Sequence, residues 1–141
     1  MSLRYMLDTN ICIYIAKNHP PEVAKRFSGL AAGAVGMSLI TYGELRYGAV
    51  KSQRGAEALA TIERLVELIP VLEPTSEVGI AYGSLRAHLD RMGTPIVNND
   101  LWIAAHALTL GITLVSNNLR EFERVPKLKL KNWIESGASI G

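Results

Sequence analysis

The sequence contains one cysteine, Cys12, so an intramolecular disulfide is impossible. It has no Cys-x-x-Cys pair and no cluster of cysteine and histidine, which argues against a zinc site. A single cysteine is typical of a protein in a reducing cytosol. We expect Cys12 to be a small, buried apolar residue and not a nucleophile.

Long hydrophobic runs are also missing. A membrane-spanning helix needs about 20 consecutive apolar residues, and no segment of this chain provides them. The two longest uncharged segments, 27–43 and 101–119, are interrupted by glycine, serine, asparagine or histidine and are typical of a helix followed by a strand. The start of the sequence has neither the apolar segment nor the cleavage site of a signal peptide. These absences predict a cytoplasmic protein without a membrane contact.

Charged residues make up only 20% of the 141 residues and the net charge is +2, whereas 48% of the residues are hydrophobic. This composition supports a hydrophobic core and excludes a disordered chain. The length predicts one domain over residues 1–141. The charge is uneven, because residues 120–131 contain five basic and two acidic side chains. That stretch is either an edge strand protected by lysines or a patch that contacts phosphate.

Apolar segments of strand and helix character alternate along the whole chain. The pattern predicts strands at 4–7, 34–39, 70–72, 112–115 and 128–133, and helices at 11–17, 22–27, 42–51, 57–69, 76–92, 100–110 and 119–124, with Ser76 as the N-cap of the fifth helix. Such alternation indicates an α/β fold with a mostly parallel sheet of about five strands. Ligands of such sheets bind beyond the carboxyl ends of the strands.

Three carboxylates follow strands or begin helices in this pattern. Asp8 directly follows the first strand, Glu44 comes shortly after the second, and Asp100 begins an otherwise apolar helix. Each has a simpler structural explanation. Asp8 can be a helix N-cap, Thr41 and Glu44 fit a capping box, and Asp100 complements a helix dipole while Asn98 or Asn99 caps the helix.

Taken together, the three acids are harder to explain by local structure. Carboxylates brought to one edge of a sheet repel each other unless a cation lies among them. Oxygen ligands without histidine or cysteine favour Mg²⁺ or Mn²⁺, and such an ion suits phosphoryl chemistry. His106 lies about 240° around the helix from Asp100, so we expect it to pack and not to ligate. Ser116 and Asn118 end the fourth strand and either orient a metal-bound water or form the turn.

Four segments in order resemble the PIN domain, and more narrowly the VapC-type toxin ribonucleases of bacterial toxin–antitoxin pairs. The segments are Leu7-Asp8-Thr9-Asn10, Ser38-Leu39-Ile40-Thr41-Tyr42-Gly43-Glu44-Leu45, Thr94 to Asp100 with Ile103-Ala104-Ala105-His106-Ala107, and Leu114-Val115-Ser116-Asn117-Asn118-Leu119-Arg120-Glu121-Phe122. They occur in the order found in the family and span nearly the whole chain.

The resemblance implies an α/β/α sandwich with Mg²⁺- or Mn²⁺-dependent endoribonuclease activity. In this resemblance Asp8, Glu44 and Asp100 match the acidic cluster, with Asp8 and Asp100 as direct metal ligands. Thr9 matches a hydroxyl that supports the site in the family. The residues themselves, apart from the resemblance, make Ser116 and Asn118 further supporting candidates, and Arg120, Arg124 and Lys127 of the basic stretch are the candidate RNA contacts. Asn118 stands where many members have a fourth acid, and Glu121 is a candidate substitute for it, although it falls three residues later.

The resemblance also implies partners. The chain is expected to be inhibited by a small VapB-type antitoxin, which lays an apolar segment and a basic residue across the acidic groove. It is further expected to form a homodimer, and a hetero-oligomer with the antitoxin.

Two other classes remain open at this point. A phosphatase of the haloacid-dehalogenase type also has an aspartate after its first strand, but it needs a second one two residues later, where this chain has Asn10. A catalytically silent PIN-like domain would bind only RNA or protein. The three retained acids argue against silence, and a metal-dependent cleavage assay separates the two.

Overall fold

A computed structural model describes residues 2–134, and within that range the chain forms five strands and seven helices. The strands are β1 (Tyr5–Leu7), β2 (Val35–Ser38), β3 (Val71–Leu72), β4 (Thr113–Val115) and β5 (Leu130–Lys131). The helices are α1 (Thr9–Lys17), α2 (Pro21–Ser28), α3 (Leu39–Val50), α4 (Gly55–Leu68), α5 (Ser76–Arg91), α6 (Asn98–Leu110) and α7 (Leu119–Phe122). Every predicted element is present, and the bounds differ by a few residues.

All five strands are parallel and lie in the order β3-β2-β1-β4-β5. The chain extends the sheet from β1 toward β3 in one direction and then adds β4 and β5 on the other side of β1. The order therefore reverses between β1 and β4, and ligands of parallel sheets bind at such a switch point. Asp8 follows β1 and Ser116 follows β4, so both lie at this point.

Helices cover both faces of the sheet because successive side chains of each strand point to opposite faces. Tyr5 and Leu7 pack against apolar side chains of α1, α3 and α4. Met6 packs on the other face against side chains of α6 and α7. β1 is buried on both faces, as expected for a parallel strand. The predicted α/β/α sandwich is confirmed.

Three local predictions about helix starts are wrong, at α3, α5 and α6. Ser38 is the N-cap of α3, because its side-chain oxygen accepts a hydrogen bond from the Ile40 N–H at 3.1 Å. Thr41 is therefore inside the helix and fully buried, so the capping box of Thr41 and Glu44 does not form. The N-cap of α5 is Thr75 instead of Ser76.

The N-cap of α6 is Val97, so neither Asn98 nor Asn99 caps that helix as proposed. The side chains of both asparagines make other hydrogen bonds, which are described below with the carboxylates.

The structure also bears on Cys12 and on membrane-spanning helices. Cys12 is completely buried, as predicted, and burial raises the pKa of its thiol. None of the helices within residues 2–134 is long and apolar enough to cross a membrane.

Candidate metal centre

The three predicted carboxylates lie at one cleft of about 160 Å³ beyond the carboxyl ends of β1 and β4. The residues that line it are Asp8, Thr9, Asn10, Glu44, Asp100, Asn118 and Phe122. Asp8 comes from the end of β1, Glu44 from α3 and Asp100 from the first turn of α6. The fold therefore brings together the acids that the sequence pattern placed at one edge.

Asp8 is only 6% exposed and has a structural role as well as a place in the cleft. Its Oδ1 accepts a hydrogen bond from the Ile11 N–H at 3.0 Å and so caps α1. Burial raises the pKa of Asp8, although hydrogen bonds from the Ser116 side chain and the backbone partly oppose the rise. The helix-cap interpretation and the site interpretation of Asp8 are therefore compatible.

Glu44 is held by neighbours from two other helices. The Thr9 hydroxyl donates to its Oε1 at 2.5 Å, and the Asn99 side-chain amide donates to its Oε2 at 3.3 Å. These bonds connect α3 to the starts of α1 and α6. The structure thus places Thr9 in the supporting position that the sequence predicted, directly on a carboxylate of the cluster.

Asp100 is paired with a fourth carboxylate, Glu121. Burial is the largest cause that raises the pKa of Asp100 to about 7, followed by a hydrogen bond with Glu121 and by repulsion from Glu121, Glu44 and Asp8. An acid with this pKa is largely protonated below neutral pH, so Asp100 can donate its proton to Glu121.

Glu121 is the acceptor of several hydrogen bonds. Its Oε1 accepts from the Val97 N–H at 2.7 Å and its Oε2 from the Asn118 side-chain amide at 2.7 Å. Burial raises its pKa, but these bonds, the one from Asp100 and the nearby Arg124 outweigh burial, so the pKa of Glu121 is lowered. Asn118 lines the cleft and donates to Glu121, which lies three residues later and does not itself line the cleft. The role of Glu121 as a substitute for the fourth acid stays a prediction.

The donor chemistry of this cluster fits a hard divalent cation, because carboxylate, hydroxyl and amide oxygens line the cleft. Burial and mutual repulsion destabilise the ionised forms of Asp8 and Asp100, and a cation would relieve both effects. Within residues 2–134, no three Asp, Glu, His or Cys side chains are already arranged to hold a metal ion. The Asp100 carboxyl is hydrogen-bonded to Glu121, so ligation of a cation by Asp100 requires the loss of its proton.

This pairing predicts how stability depends on pH without divalent cations. The pKa of Asp100 is raised in the folded state, so its stabilising contribution is present at low pH and is lost as the pH rises toward about 7. Asp8 acts in the same direction. The melting temperature in EDTA should fall by roughly 3–6 °C between about pH 5 and about pH 8.

Asp100→Asn should flatten this dependence, because an amide does not titrate. Asp90→Asn, at an exposed carboxyl of α5, is the matched control and should keep the wild-type slope. Thermal melts monitored by circular dichroism measure the effect. An Asp100→Asn slope equal to that of the wild type would contradict the assignment.

The predicted RNA contacts are all exposed, but they differ in their surroundings. Arg124 donates to the Pro95 carbonyl at 2.8 Å and lies close enough to Glu121 to lower its pKa. Arg120 and Lys127 have no hydrogen bond or ion pair with any residue of the described range, 2–134. The Lys131 end of the stretch lies on the edge strand β5, which fits the alternative of a protected edge. RNA contact at Arg120, Arg124 and Lys127 stays a prediction.

His106 packs in the protein interior, as predicted. It is 2% exposed, and its Nδ1 lies 3.5 Å from the Ser38 hydroxyl. Burial lowers the pKa of His106, which favours the neutral ring. His106 does not line the acidic cleft.

A larger groove of about 580 Å³ adjoins the acids and was not predicted. It lies between α1, α3 and α4 and shares Thr9 and Glu44 with the acidic cleft. We call it the α1–α3–α4 groove, and its lining is mostly apolar: Thr9, Ile13, Ala16, Lys17, Glu44, Leu45, Gly48, Ala49, Ser52, Ala58, Thr61, Ile62 and Leu65. Small side chains on α3 and α4 keep it open.

Comparisons with known proteins agree with this geometry. A family model for the PIN domain matches residues 5–128. Ribonuclease VapC1 of Haemophilus influenzae (strain R2866) is 45% identical over 130 residues, which cover 92% of this chain and 97% of that protein. The tRNA(fMet)-specific endonuclease VapC of Shigella flexneri is 45% identical over 131 residues, or 93% of this chain and 98% of the relative. The structure of VapBC-1 from nontypeable Haemophilus influenzae matches with a TM-score of 0.86 at 43% identity, covering 96% of this chain and 100% of that one.

Proposed function

The chain belongs to the PIN domain family, among its VapC-type ribonucleases, and from this we propose that it is an Mg²⁺-dependent endoribonuclease toxin. The observation that carries the metal dependence is the convergence of Asp8, Glu44 and Asp100 in one cleft. Burial and mutual repulsion raise the pKa values of Asp8 and Asp100, so a cation there would be strongly favoured.

Asp8 and Asp100 would hold Mg²⁺ or Mn²⁺, with Glu44 as a third ligand either directly or through water. When bound, such an ion polarises a phosphodiester and lowers the pKa of a bound water that attacks it. The chain's own groups prepare this site. Ser116 and the Ile11 N–H fix the Asp8 carboxylate, and Thr9 fixes Glu44.

The Asp100–Glu121 pair can also hold a proton beside the proposed metal site. Glu121 is fixed by the Val97 N–H and the Asn118 amide, and its pKa is lowered. It therefore remains a charged acceptor beside Asp100 while the proton on Asp100 leaves. Metal binding should consequently release a proton and become stronger as the pH rises toward 7.

The substrate we propose is RNA, and a structured tRNA is the first candidate. The Shigella flexneri relative is named as tRNA(fMet)-specific, and it is 45% identical over 93% of this chain. Structured RNA is recognised through its shape and through unpaired loop nucleotides. The purified chain should be incubated with initiator tRNA and, separately, with an elongator tRNA, and the products resolved by gel electrophoresis.

Metal removal is the decisive test of this function. Excess EDTA should abolish cleavage of the tRNA, and Mg²⁺ or Mn²⁺ added beyond the chelator should restore it, because the carboxylates alone do not activate water. EDTA already saturated with Mg²⁺ is the control and should not inhibit. Full activity in excess EDTA would overturn the metal dependence, and absence of cleavage with every divalent ion tested would favour a silent RNA- or protein-binding domain.

We further propose that a VapB-type antitoxin inhibits the chain by occupying the α1–α3–α4 groove. The groove is mostly apolar and ends at Glu44, so an apolar helix or strand in it would bring a following basic residue to the acids. The H. influenzae neighbour is named as a VapBC structure, and the likeness to it extends over 96% of this chain. The homodimer and the hetero-oligomer with the antitoxin stay predictions, and light scattering of the purified chain and of the complex would measure them.

A further inference from the structure

We propose that Arg86 binds the RNA backbone beside the acidic cleft and that Tyr82 positions it. This inference rests on the proposed ribonuclease function and identifies a substrate contact of the same site. Arg86 lies in α5, far along the chain from the basic stretch of residues 120–131, and no motif in the sequence pointed to it.

Tyr82 holds the Arg86 side chain in place. The two residues are four positions apart on α5, where side chains face each other, and Arg86 Nη1 donates to the Tyr82 hydroxyl at 2.9 Å. The Tyr82 ring stacks on Trp102 of α6 with centroids 3.8 Å apart and planes 9° apart. The Tyr82 hydroxyl donates in turn to Asn98 Oδ1 at 3.2 Å. The guanidinium is thus hydrogen-bonded to a ring that is itself held by stacking on its face and by a hydrogen bond at its hydroxyl.

The hydrogen bond to Asn98 places this arrangement at the rim of the acidic cleft. The residue before Asn98, Val97, is tied to Glu121 through its N–H. The residue after it, Asn99, is tied to Glu44 through its side-chain amide. Because both neighbours of Asn98 contact carboxylates of the cluster, Tyr82 and Asn98 connect Arg86 to the residues around the acidic cleft. Arg86 itself lines a neighbouring small cleft with Asp90 and Asn98, and an RNA that enters the acidic cleft would extend its backbone toward it.

Arg86 is also free to bind an anion. It is exposed, and no carboxylate in the described part of the chain, 2–134, forms an ion pair with it. Of the five N–H donors of a guanidinium, one is used by Tyr82. The others match the paired oxygens of a phosphate. Four carboxylates near the cleft repel an RNA backbone, so a fixed positive charge at the rim has a clear role.

Charge favours RNA over the antitoxin as the ligand of Arg86. The antitoxin is expected to bring a basic residue to the acids, and a second positive charge at the rim would repel it. The α1–α3–α4 groove also lies on the other side of Glu44 and contains no residue of α5.

Direct RNA binding tests the proposal. A fluorescein-labelled RNA stem–loop is titrated with protein in EDTA at several salt concentrations, and fluorescence anisotropy gives Kd. Arg86→Ala should raise Kd by about tenfold and lower the slope of log Kd against log salt by about 0.7–0.9. Arg86→Lys should keep the slope. Tyr82→Phe, which keeps the stacked ring but loses the hydroxyl, should raise Kd by about threefold.

The matched control is Arg64→Ala, which removes an exposed arginine from α4 and should bind RNA like the wild type. In cleavage assays with Mg²⁺, the loss in Arg86→Ala should fall on KM more than on kcat. Equal Kd and salt slope for Arg86→Ala and Arg64→Ala would overturn the proposal, as would weaker antitoxin binding with unchanged RNA binding.

Two further results are needed to separate an effect on RNA binding from a folding defect and from failure of the proposed nuclease activity. If Arg86→Ala melts at a lower temperature than the wild type, Arg86→Lys and Tyr82→Phe decide the result. If the wild type binds the stem–loop but never cleaves RNA, the proposed nuclease fails, while the binding titration still confirms or overturns Arg86.

Discussion

Asp8→Asn is expected to reduce kcat for RNA cleavage by at least about 10³-fold while keeping the protein folded. The loss follows because an amide is a poor ligand for Mg²⁺ and carries no charge to offset that of the ion. The fold should survive because asparagine caps helices as well as aspartate does, and the Ile11 N–H can still donate to Oδ1. Rates are measured on tRNA under single-turnover conditions.

The same variant should be more stable than the wild type when no divalent cation is present. Asp8 is a buried carboxylate whose pKa is raised, so its ionised form destabilises the folded state above its ordinary pKa. The melting temperature of Asp8→Asn in EDTA near neutral pH should therefore be higher. Added Mg²⁺ should raise the melting temperature of the wild type and not that of the variant.

Glu67→Gln is the matched control, since it changes an exposed carboxylate of α4 into an amide. It should cleave and melt like the wild type. RNA cleavage by Asp8→Asn at the wild-type rate would contradict the proposed role of Asp8. A lower melting temperature for Asp8→Asn would mean that the cap on α1 depends on the charge.

Gly48→Phe should weaken binding of the VapB-type antitoxin by roughly 30-fold or more. Gly48 lines the α1–α3–α4 groove, and a Cβ built there meets no heavy atom within 4 Å. A bulky side chain at this position therefore enters the groove without displacing the core. Phenylalanine also has a higher helix propensity than glycine, so α3 should not be weakened.

The measurement is a calorimetric titration with a VapB-type antitoxin that inhibits this chain. Gly83→Phe is the control, because Gly83 lies in the helix α5, also has no heavy atom within 4 Å of its Cβ position, and is not in the groove. Equal antitoxin affinities of the two variants would show that the antitoxin binds another surface.

The architecture could be predicted from the sequence because burial and connectivity both leave a strong pattern. β1 is apolar at Tyr5, Met6 and Leu7, as a parallel strand covered on both faces must be. The carboxylate Asp8 interrupts this pattern at the end of the strand, where parallel sheets place ligands. The pattern pointed to Asp8 and Asp100 for this reason, because they lie at a strand end and in the first turn of a helix, whereas Glu44 lies inside α3.

The details of the site depend on side-chain directions, which spacing does not reveal. Glu44 fits a capping box by its distance from Thr41, yet Ser38 caps α3 because β2 ends directly at that residue. Glu121 reaches Asp100 and Asn118 because it lies on α7, the short helix that begins directly after Asn118. The signal for Glu121 in the sequence was its position three residues after Asn118.

Neither the α1–α3–α4 groove nor the placement of Arg86 leaves a pattern in the local sequence. The α1–α3–α4 groove exists because residues such as Gly48 and Ala49 have no side chain or only a methyl group. A sequence pattern shows which side chains are present, but it does not show where the folded chain leaves an open space. Arg86 is placed by Tyr82, whose ring is fixed by Trp102 on another helix. Such long-range packing follows only from the folded structure.

The position of β1 between β2 and β4 also determines when the acidic cluster can form during translation. A ribosome that has made the first three strands has already produced Asp8 and Glu44, but not Asp100, Glu121 or β4. The four acids can come together only after β4 has paired with β1 and α7 has formed. A nascent chain that has not yet reached α6 therefore carries only two of the acids that line the cleft, Asp8 and Glu44.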